Sequence, residues 1–212
     1  MTTLAGQKSK QAFIEAAGKL FAEKGIERVC LSEIAKCAGV DASMINYHFG
    51  GKEGLVQAVI EKAFEHWHEG DVIRYHEENK SLLGSRDGQI IFITGLVEKV
   101  FLTLGNKDGE VPATSVLLQL LQYPHPLRKL IVERHINKDV RCFCGIYKEI
   151  TGNEDFESAF CWYLFMICPL YMYSGSPGMI DMFHLEGGVT QGFDRRLQRF
   201  TTRQLLAGFG LR

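Results

Sequence analysis

Apolar residues recur at intervals of three and four along most of this 212-residue chain, and no stretch shows the strict alternation that is typical of strands. This pattern predicts an all-α protein. Glycine and proline mark where helices stop, because glycine tolerates left-handed backbone and proline removes a helical hydrogen bond. The predicted helices are a first one that ends at Gly25, a second that ends at Ala38, and others over about residues 42–49, 52–79, 89–104, 111–122, 127–151, 155–173, 179–185 and 193–209.

A tight turn separates two short helices in the first quarter of the chain. Ile34 and Ala38 lie on one face of the earlier helix, and Gly39 lets the chain reverse after it. Asp41 can then cap the next helix with its carboxylate. Two helices joined in this way form a helix-turn-helix, whose second helix enters the DNA major groove, and the sequence predicts this motif at about residues 30–49. A glycine between two short helices also occurs in proteins that bind no DNA, so the pattern alone leaves a structural role open.

The second short helix presents polar side chains on its outer face. Ile45 and Phe49 are four residues apart and face inward, which leaves the residues between them outward. Asn46 can hydrogen-bond a base edge, most naturally adenine, and Tyr47 can reach a phosphate oxygen. Lys52 lies near the start of a further helix, where phosphate is also favoured. The predicted DNA-contacting residues are Lys8, Lys10, Ser32, Lys36, Ala42, Ser43, Asn46, Tyr47, His48 and Lys52.

Residues about 7–67 resemble the DNA-binding domain of the TetR family of bacterial transcriptional regulators. The motifs that carry the resemblance are Ala16-Ala17, Leu20-Phe21, Gly25, Ile34-Ala35, Ala38-Gly39-Val40, His48-Phe49 and Lys52-Glu53 with Leu55. Two positions depart from the family pattern. The family commonly has Thr at the position of Cys30 and Tyr at the position of Asn46. We therefore expect a weaker cap on the second helix and a base contact in place of a phosphate contact. The resemblance implies a three-helix DNA-binding domain at 7–67, followed by a larger helical ligand-binding and dimerisation domain at 68–212.

The second domain carries a weaker resemblance, through residues 117–126 and 130–135 together with 46–54, to the CecR-like (YbiH-type) subgroup of the same family. TetR-like proteins pair through their last two long helices, so the resemblance implies a homodimer. The candidate dimer residues are Phe160, Leu164, Ile167 and Tyr171. The resemblance also implies an apolar ligand pocket, with Phe64, Trp67, Phe92, Phe101, Leu118, Phe143 and Tyr147 as candidate walls and Glu98, Gln119, Gln122, His135 and Arg141 as candidate polar groups. Each apolar residue named here is also compatible with an ordinary core position.

The net charge and the length of the apolar runs limit the classes of function that fit this sequence. The net charge of −1 excludes a globally basic nucleic-acid coat, whereas residues 1–52 carry seven Lys or Arg against five acids, a net of +2. A weak excess of this kind suits a dimeric reader whose base contacts matter. No signal-peptide pattern is visible, and the longest apolar run, residues 159–173, is short for a membrane span. We therefore expect a cytoplasmic protein with no membrane partner.

No nucleophile motif, phosphate loop or informative carboxylate pair indicates an enzyme, and no cofactor is expected. The six cysteines lack metal-ligand spacing, so we interpret them as small buried hydrophobes.

The sequence predicts a ligand-responsive transcriptional regulator, a repressor that binds a palindromic DNA operator as a homodimer and is released by a small apolar or aromatic effector. The alternative is a thiol- or metal-responsive regulator with the same DNA-binding head.

Overall fold

The structure is a computed structural model that describes residues 4–66, 71–104, 113–175 and 192–211, and the regular elements within these ranges are all helical. The prediction of an all-α fold is confirmed. The α-helices are α1 Leu4–Lys24, α2 Leu31–Ala38, α3 Ser43–Phe49, α4 Lys52–His66, α5 Asp71–Asn79, α6 Arg86–Leu104, α7 Ala113–Gln122, α8 Leu127–Ile131, α9 Asn137–Thr151, α10 Phe156–Gly175 and α11 Phe193–Gly208. A 3-10 helix, Lys80–Gly84, precedes α6, and a π-helical turn, Val132–Ile136, precedes α9.

Packing divides the chain into two compact units. The first is Met1–Trp67 with Asn106–Leu130, and the second is His68–Gly105 with Ile131–Arg212. The helix α7 therefore packs with α1–α4, although α6 before it and α9 after it belong to the second unit. This division is one of packing in space, and the domain limits of 7–67 and 68–212 along the sequence stay a prediction.

The core of the first unit is built around one face of α1. Phe13 and Phe21 on that face have no exposed surface. The helices α2, α3 and α4 pack against α1 and contribute Ile34, Ile45 and Leu55, which are also fully buried. Burying a Phe, Ile or Leu side chain contributes about 1.5–3 kcal/mol. This shared core therefore holds α2 and α3, which are too short to be stable as isolated helices.

The core of the second unit lies along α6, which contacts α5, α10 and α11. Phe92 and Leu96 of α6 are fully buried, and the Phe92 ring lies 5.2 Å from the ring of Tyr75 in α5. The helices α9 and α10 pack together through Phe143 and Tyr163, whose ring centroids are 5.3 Å apart. The predicted apolar face of residues 89–104 is therefore used as core.

Some predicted helices differ from the observed ones. Within the predicted helix 52–79, α4 ends at His66 and α5 begins at Asp71, and the residues between them lie outside the described ranges. The predicted helix 127–151 contains the π-helical turn. The sequence pattern did not reveal this turn, because a π turn adds one residue to a helix and disturbs the apolar pattern only locally. The predicted helix 179–185 lies outside the described residues. None of the described helices has the length and apolarity that a membrane span requires.

Candidate DNA-binding site

The turn between α2 and α3 is built by Gly39. Its φ of 66° is left-handed, which glycine adopts without the clash of a Cβ atom. The N–H of Gly39 donates to the Lys36 carbonyl at 3.4 Å, and the N–H of Val40 donates to the Ala35 carbonyl at 3.2 Å. This bonding pattern is a Schellman motif, which ends α2 and reverses the chain. The sequence prediction of a glycine turn at this position is confirmed.

The start of α3 is held by Asp41. Its Oδ1 accepts a hydrogen bond from the Ser43 N–H at 2.8 Å and a second from the Ser43 hydroxyl at 2.5 Å. These two bonds hold the pKa of Asp41 below its ordinary value, and the bond from the hydroxyl has the larger effect. The carboxylate therefore satisfies an amide that has no helical partner at the start of α3.

The inner face of α3 is fixed against α1. Ile45 is fully buried, and the ring of Phe49 meets the ring of Phe13 edge to face at 6.2 Å between centroids. Lys10 Nζ lies 6.0 Å from the centroid of the Phe49 ring. The start of α1 and the end of α3 are thus in contact, so the orientation of α3 is set by the core and by this cation–aromatic contact.

The outer face of α3 is free to meet DNA. Tyr47 is 74% exposed, and Asn46 is exposed with no hydrogen bond to its side chain among the described residues. Lys36 on α2 is exposed near the turn. The other predicted contacts that are exposed are Lys8, Lys10, Ser32, Ala42 and Ser43. Exposed polar groups on a rigidly held helix are the arrangement that base reading in the major groove requires.

Besides Lys10, the predicted DNA contacts His48, Lys52 and Ser43 also have structural roles. The Nε2 atom of His48 is buried without a hydrogen-bond partner within the described part of the chain, and its ring packs on Tyr47 at 5.0 Å. Lys52 Nζ donates to the Glu27 carbonyl at 3.3 Å. The Ser43 hydroxyl donates to Asp41. These side chains support the exposed face, and their contacts with DNA stay a prediction.

Gln119 of α7 makes a contact in this unit that the sequence did not reveal. It was expected to orient a ligand, but its side-chain amide bonds to the turn between α1 and α2. The two partners are 93 and 98 residues away in sequence. Because no local pattern connects positions that far apart, the sequence offered no signal for this contact.

None of the predicted pocket residues is among those that line the described cavity. Phe64 and Leu118 belong to the first unit, Trp67 lies outside the described residues, and Phe92, Phe101, Phe143 and Tyr147 belong to the second unit. Phe92 and Phe143 are at most 2% exposed and pack against other rings. A cavity of about 980 Å³ in the second unit is lined by other residues, including Thr94, Arg195, Arg199, Arg203, Leu206 and Leu211.

The predicted dimer residues divide between core and surface. Leu164 is 39% exposed, whereas Ile167 is 5% exposed and packs inside its own unit. Phe160 and Tyr171 are half-buried. Apolar side chains on the outer face of α10 that the prediction omitted include Phe156, 61% exposed, and Phe165, 50% exposed. The free apolar face of α10 is therefore rotated from the predicted stripe.

The interpretation of the cysteines as buried is wrong for most of them. Cys30, Cys37, Cys161 and Cys168 are exposed, because they lie on the outer faces of their helices or at a helix start, and Cys142 and Cys144 are half-buried. The Sγ of Cys30 lies 3.1 Å from the Ser32 hydroxyl, and hydrogen bonds from Ser32 and the Glu33 backbone lower the pKa of this thiol. Burial raises the pKa of Cys142 to about 11. Among the described residues, no group of three His, Cys, Asp or Glu could hold a metal ion.

The N-terminal helices match a known family. The sequence model of the family described as "Bacterial regulatory proteins, tetR family" matches residues 13–59, which include α2, α3 and the turn between them. Residues 13–59 are therefore similar to the helix-turn-helix domain of that family. The HTH-type transcriptional regulator TtgR of Pseudomonas putida is 39% identical over 59 residues, which are 28% of this chain and 28% of TtgR. The match thus spans less than a third of that relative's length.

Similarity to known transcriptional regulators also extends over nearly the whole chain at lower identity. The HTH-type transcriptional regulator BetI 2 of Chromohalobacter salexigens is 24% identical over 213 residues, covering 95% of this chain and 90% of BetI 2. The structure of the transcriptional regulator FadR from Bacillus subtilis in complex with stearoyl-CoA has a TM-score of 0.58 at 21% identity, covering 93% of this chain and 98% of FadR. The fold is therefore that of a TetR helix-turn-helix domain followed by a larger helical C-terminal domain.

Proposed function

We propose that this protein is a transcriptional repressor that binds a palindromic DNA operator as a homodimer. The observation that carries the proposal is the exposed face of α3, where Asn46 and Tyr47 are free and the helix is capped by Asp41 and anchored on α1. Two such helices, one from each protomer, would enter successive major grooves about 34–36 Å apart. Occupation of an operator by this dimer would exclude other proteins from the same DNA. Membership of the CecR-like subgroup stays part of the proposal.

Footprinting of the DNA upstream of the protein's own gene, at one stated salt concentration, tests the DNA-binding function. We expect a protected palindrome. Because a good base contact contributes about 1–3 kcal/mol, Asn46→Ala should weaken operator binding by about 5- to 150-fold for each half-site. Tyr47→Ala should also weaken operator binding, because it removes a predicted phosphate contact.

Tyr123→Ala is the matched control for Tyr47→Ala. Tyr123 is 66% exposed and lies in the same unit, but it is not part of the helix-turn-helix. The control should leave operator affinity unchanged. Equal effects of the Tyr47 and Tyr123 variants, or protection without sequence preference, would contradict the proposed reading face.

The proposed homodimer rests on the apolar outer face of α10. Leu164 and Phe165 are 39% and 50% exposed, and Phe200 of α11 is 60% exposed. Exposed apolar side chains of this size on neighbouring helices are typical of an interface. Phe165→Glu should shift the protein from dimer to monomer in analytical ultracentrifugation and abolish high-affinity binding to the palindrome. A variant that remains dimeric would contradict the placement of the interface.

The proposed effector is a small apolar or aromatic molecule that also carries an anionic group. The cavity in the second unit supports this addition, because Arg195, Arg199 and Arg203 line it together with the apolar Leu206 and Leu211. These arginines make no hydrogen bond or ion pair to other described residues. FadR, which shares the fold, is described in complex with stearoyl-CoA, a molecule with an apolar chain and phosphate groups.

Release of DNA would result from a population shift. An effector that prefers another arrangement of α4 and α5 would lower DNA affinity, typically by about 5- to 150-fold. A panel of apolar and aromatic acids, each paired with its neutral amide, tests the effector class by loss of operator binding. We expect the acids to be effective and the amides inactive, and Arg199→Gln to remove the difference. Equal activity of acid and amide would contradict the anionic part of the proposal.

A thiol-responsive regulator is the second candidate, because Cys30 is an exposed thiol with a lowered pKa at the start of α2. Oxidation there would add bulk and charge beside the reading helices. Loss of DNA binding under mild oxidant that disappears in Cys30→Ser would favour this function. Retention of oxidant sensitivity in Cys30→Ser would exclude Cys30 as the sensor.

A further inference from the structure

The side-chain amide of Gln119 holds both polar sides of the turn that joins α1 to α2. Its Nε2 donates to the Phe21 carbonyl oxygen at 2.9 Å, and its Oε1 accepts from the Ile26 N–H at 2.9 Å. Phe21 lies in the last turn of α1, and its carbonyl also accepts from the Gly25 N–H at 2.9 Å. The Ile26 side chain is 5% exposed and that of Phe21 is fully buried. One amide from α7 therefore satisfies a donor and an acceptor of a well-packed turn.

This turn determines where α2 and α3 lie relative to α1. Gly25 has a φ of 91° and reverses the chain after α1. Lys52, at the start of α4, donates to the Glu27 carbonyl of the same turn at 3.3 Å. Lys24 at the end of α1 pairs with Glu33 in α2. The turn is thus tied to α2 and to α4, and the amide from α7 adds a tie from a distant part of the chain.

The helix α7, which carries Gln119, is packed in the core of the first unit. Val116, Leu117 and Leu120 of α7 have no exposed surface, and α7 packs on α1 and α4. The helix α6, which precedes α7 in the sequence, belongs to the second unit, whereas most of α8, which follows α7, belongs to the first unit. The two hydrogen bonds of Gln119 therefore link the turn to a helix whose position is fixed by the core of the first unit.

We propose that Gln119 is a positioning residue for DNA binding, a role that rests on the proposed function. Its two hydrogen bonds would hold the α1–α2 turn, and with it α2 and α3, at the angle that the operator requires. Both bonds are part-buried, so removal of the amide leaves the Ile26 N–H without its acceptor and the Phe21 carbonyl with the Gly25 N–H as its remaining donor. The turn then relaxes, and the reading helix populates orientations that fit the major groove less well.

Two substitutions of Gln119 test this role. Gln119→Met keeps the length and apolar stem of the side chain but has no amide. Gln119→Glu keeps an acceptor for the Ile26 N–H but sets a carboxylate oxygen against the Phe21 carbonyl. We expect each to lower operator affinity by about tenfold or more, as the loss of a part-buried hydrogen bond permits. Gln122→Met is the matched control for operator affinity, because Gln122 is exposed on the same helix, bonds to no described residue and, contrary to the sequence expectation, does not line the described cavity, so the affinity should be unchanged.

Hydrogen exchange of the Ile26 amide distinguishes positioning from general unfolding. In Gln119→Met this amide should exchange at least about tenfold faster, whereas the amides of Phe13 and Ile45 should keep their protection. Wild-type operator affinity in a folded Gln119→Met protein would overturn this inference alone. Absence of sequence-specific binding by the wild-type protein would overturn the proposed function, and the inference with it. If Gln119→Met does not fold, Gln119→Glu decides the matter by the same two measurements.

Discussion

Gly39→Ala should lower the free energy of unfolding of the first unit by about 1 kcal/mol without a steric clash. The residue has a φ of 66°, and a Cβ atom placed on it meets no atom within 4 Å. The cost is therefore that of the backbone alone, about 1–2 kcal/mol for a left-handed residue other than glycine. Alanine offsets about 0.4–1 kcal/mol of this by restricting the unfolded chain.

Urea denaturation followed by circular dichroism measures this effect, and the chain supplies its own controls. Gly152 ends α9 with a φ of 69° and open space around its Cβ position, so Gly152→Ala should cost about the same in the second unit. Gly145 lies inside α9, also with open space, and its φ is not left-handed. Gly145→Ala should therefore stabilise the protein by about 0.5–1 kcal/mol.

The comparison of the three variants decides whether the reasoning is correct. A Gly39→Ala protein as stable as the wild type, beside a destabilised Gly152→Ala protein, would refute it, because residue 39 would then not need left-handed backbone. We also expect only Gly39→Ala to weaken operator binding, since Gly39 alone lies between the reading helices. Equal operator affinities for the two variants would show that the α2–α3 turn tolerates a change of geometry.

Three further outcomes are expected. Hydrogen bonds from Ser43 hold the pKa of Asp41 below its ordinary value of 3.8, so they should stabilise α3 above that pH and lose this effect as the pH falls through the lowered pKa. Thermal melts at several pH values should show this pH dependence in the wild-type protein and its loss in Asp41→Asn. Ile45→Ala should cost about 2–5 kcal/mol in urea denaturation, since Ile45 is fully buried between α3 and α1, and a cost under about 1 kcal/mol would contradict that packing. Iodoacetamide followed by peptide mass spectrometry near pH 8 should modify Cys30 well before Cys142, whose pKa burial raises to about 11, and the reverse order would contradict the structure.

The helix-turn-helix was predictable because its determinants are neighbours in the sequence. Gly39 ends α2 and reverses the chain, and Asp41 bonds two residues ahead to Ser43. The spacing of Ile45 and Phe49 then fixes which side of α3 faces inward. Each of these signals acts within about one helical turn, so pattern and spacing are enough to place the exposed face of α3.

Contacts between distant positions were not predictable in this way. Lys52 was expected to reach phosphate, but its ammonium bonds to Glu27 in the α1–α2 turn. Gln119 was expected to orient a ligand, and it holds the same turn. A polar residue on an amphipathic helix can point to a ligand, to solvent or to a neighbouring backbone, and only the packing of the helices decides among them.

The helix α10 shows why the predicted dimer stripe was in part misplaced. Apolar residues surround this helix on nearly every side, so periodicity alone selects no face. Packing within the unit buries Met166 and Ile167 and leaves Leu164 and Phe165 exposed. A helix that is apolar all round needs cover on all sides, and its own unit covers only part of it. The uncovered apolar face of α10 is therefore the physical reason to expect a partner, and Phe165→Glu is the substitution that tests it most directly.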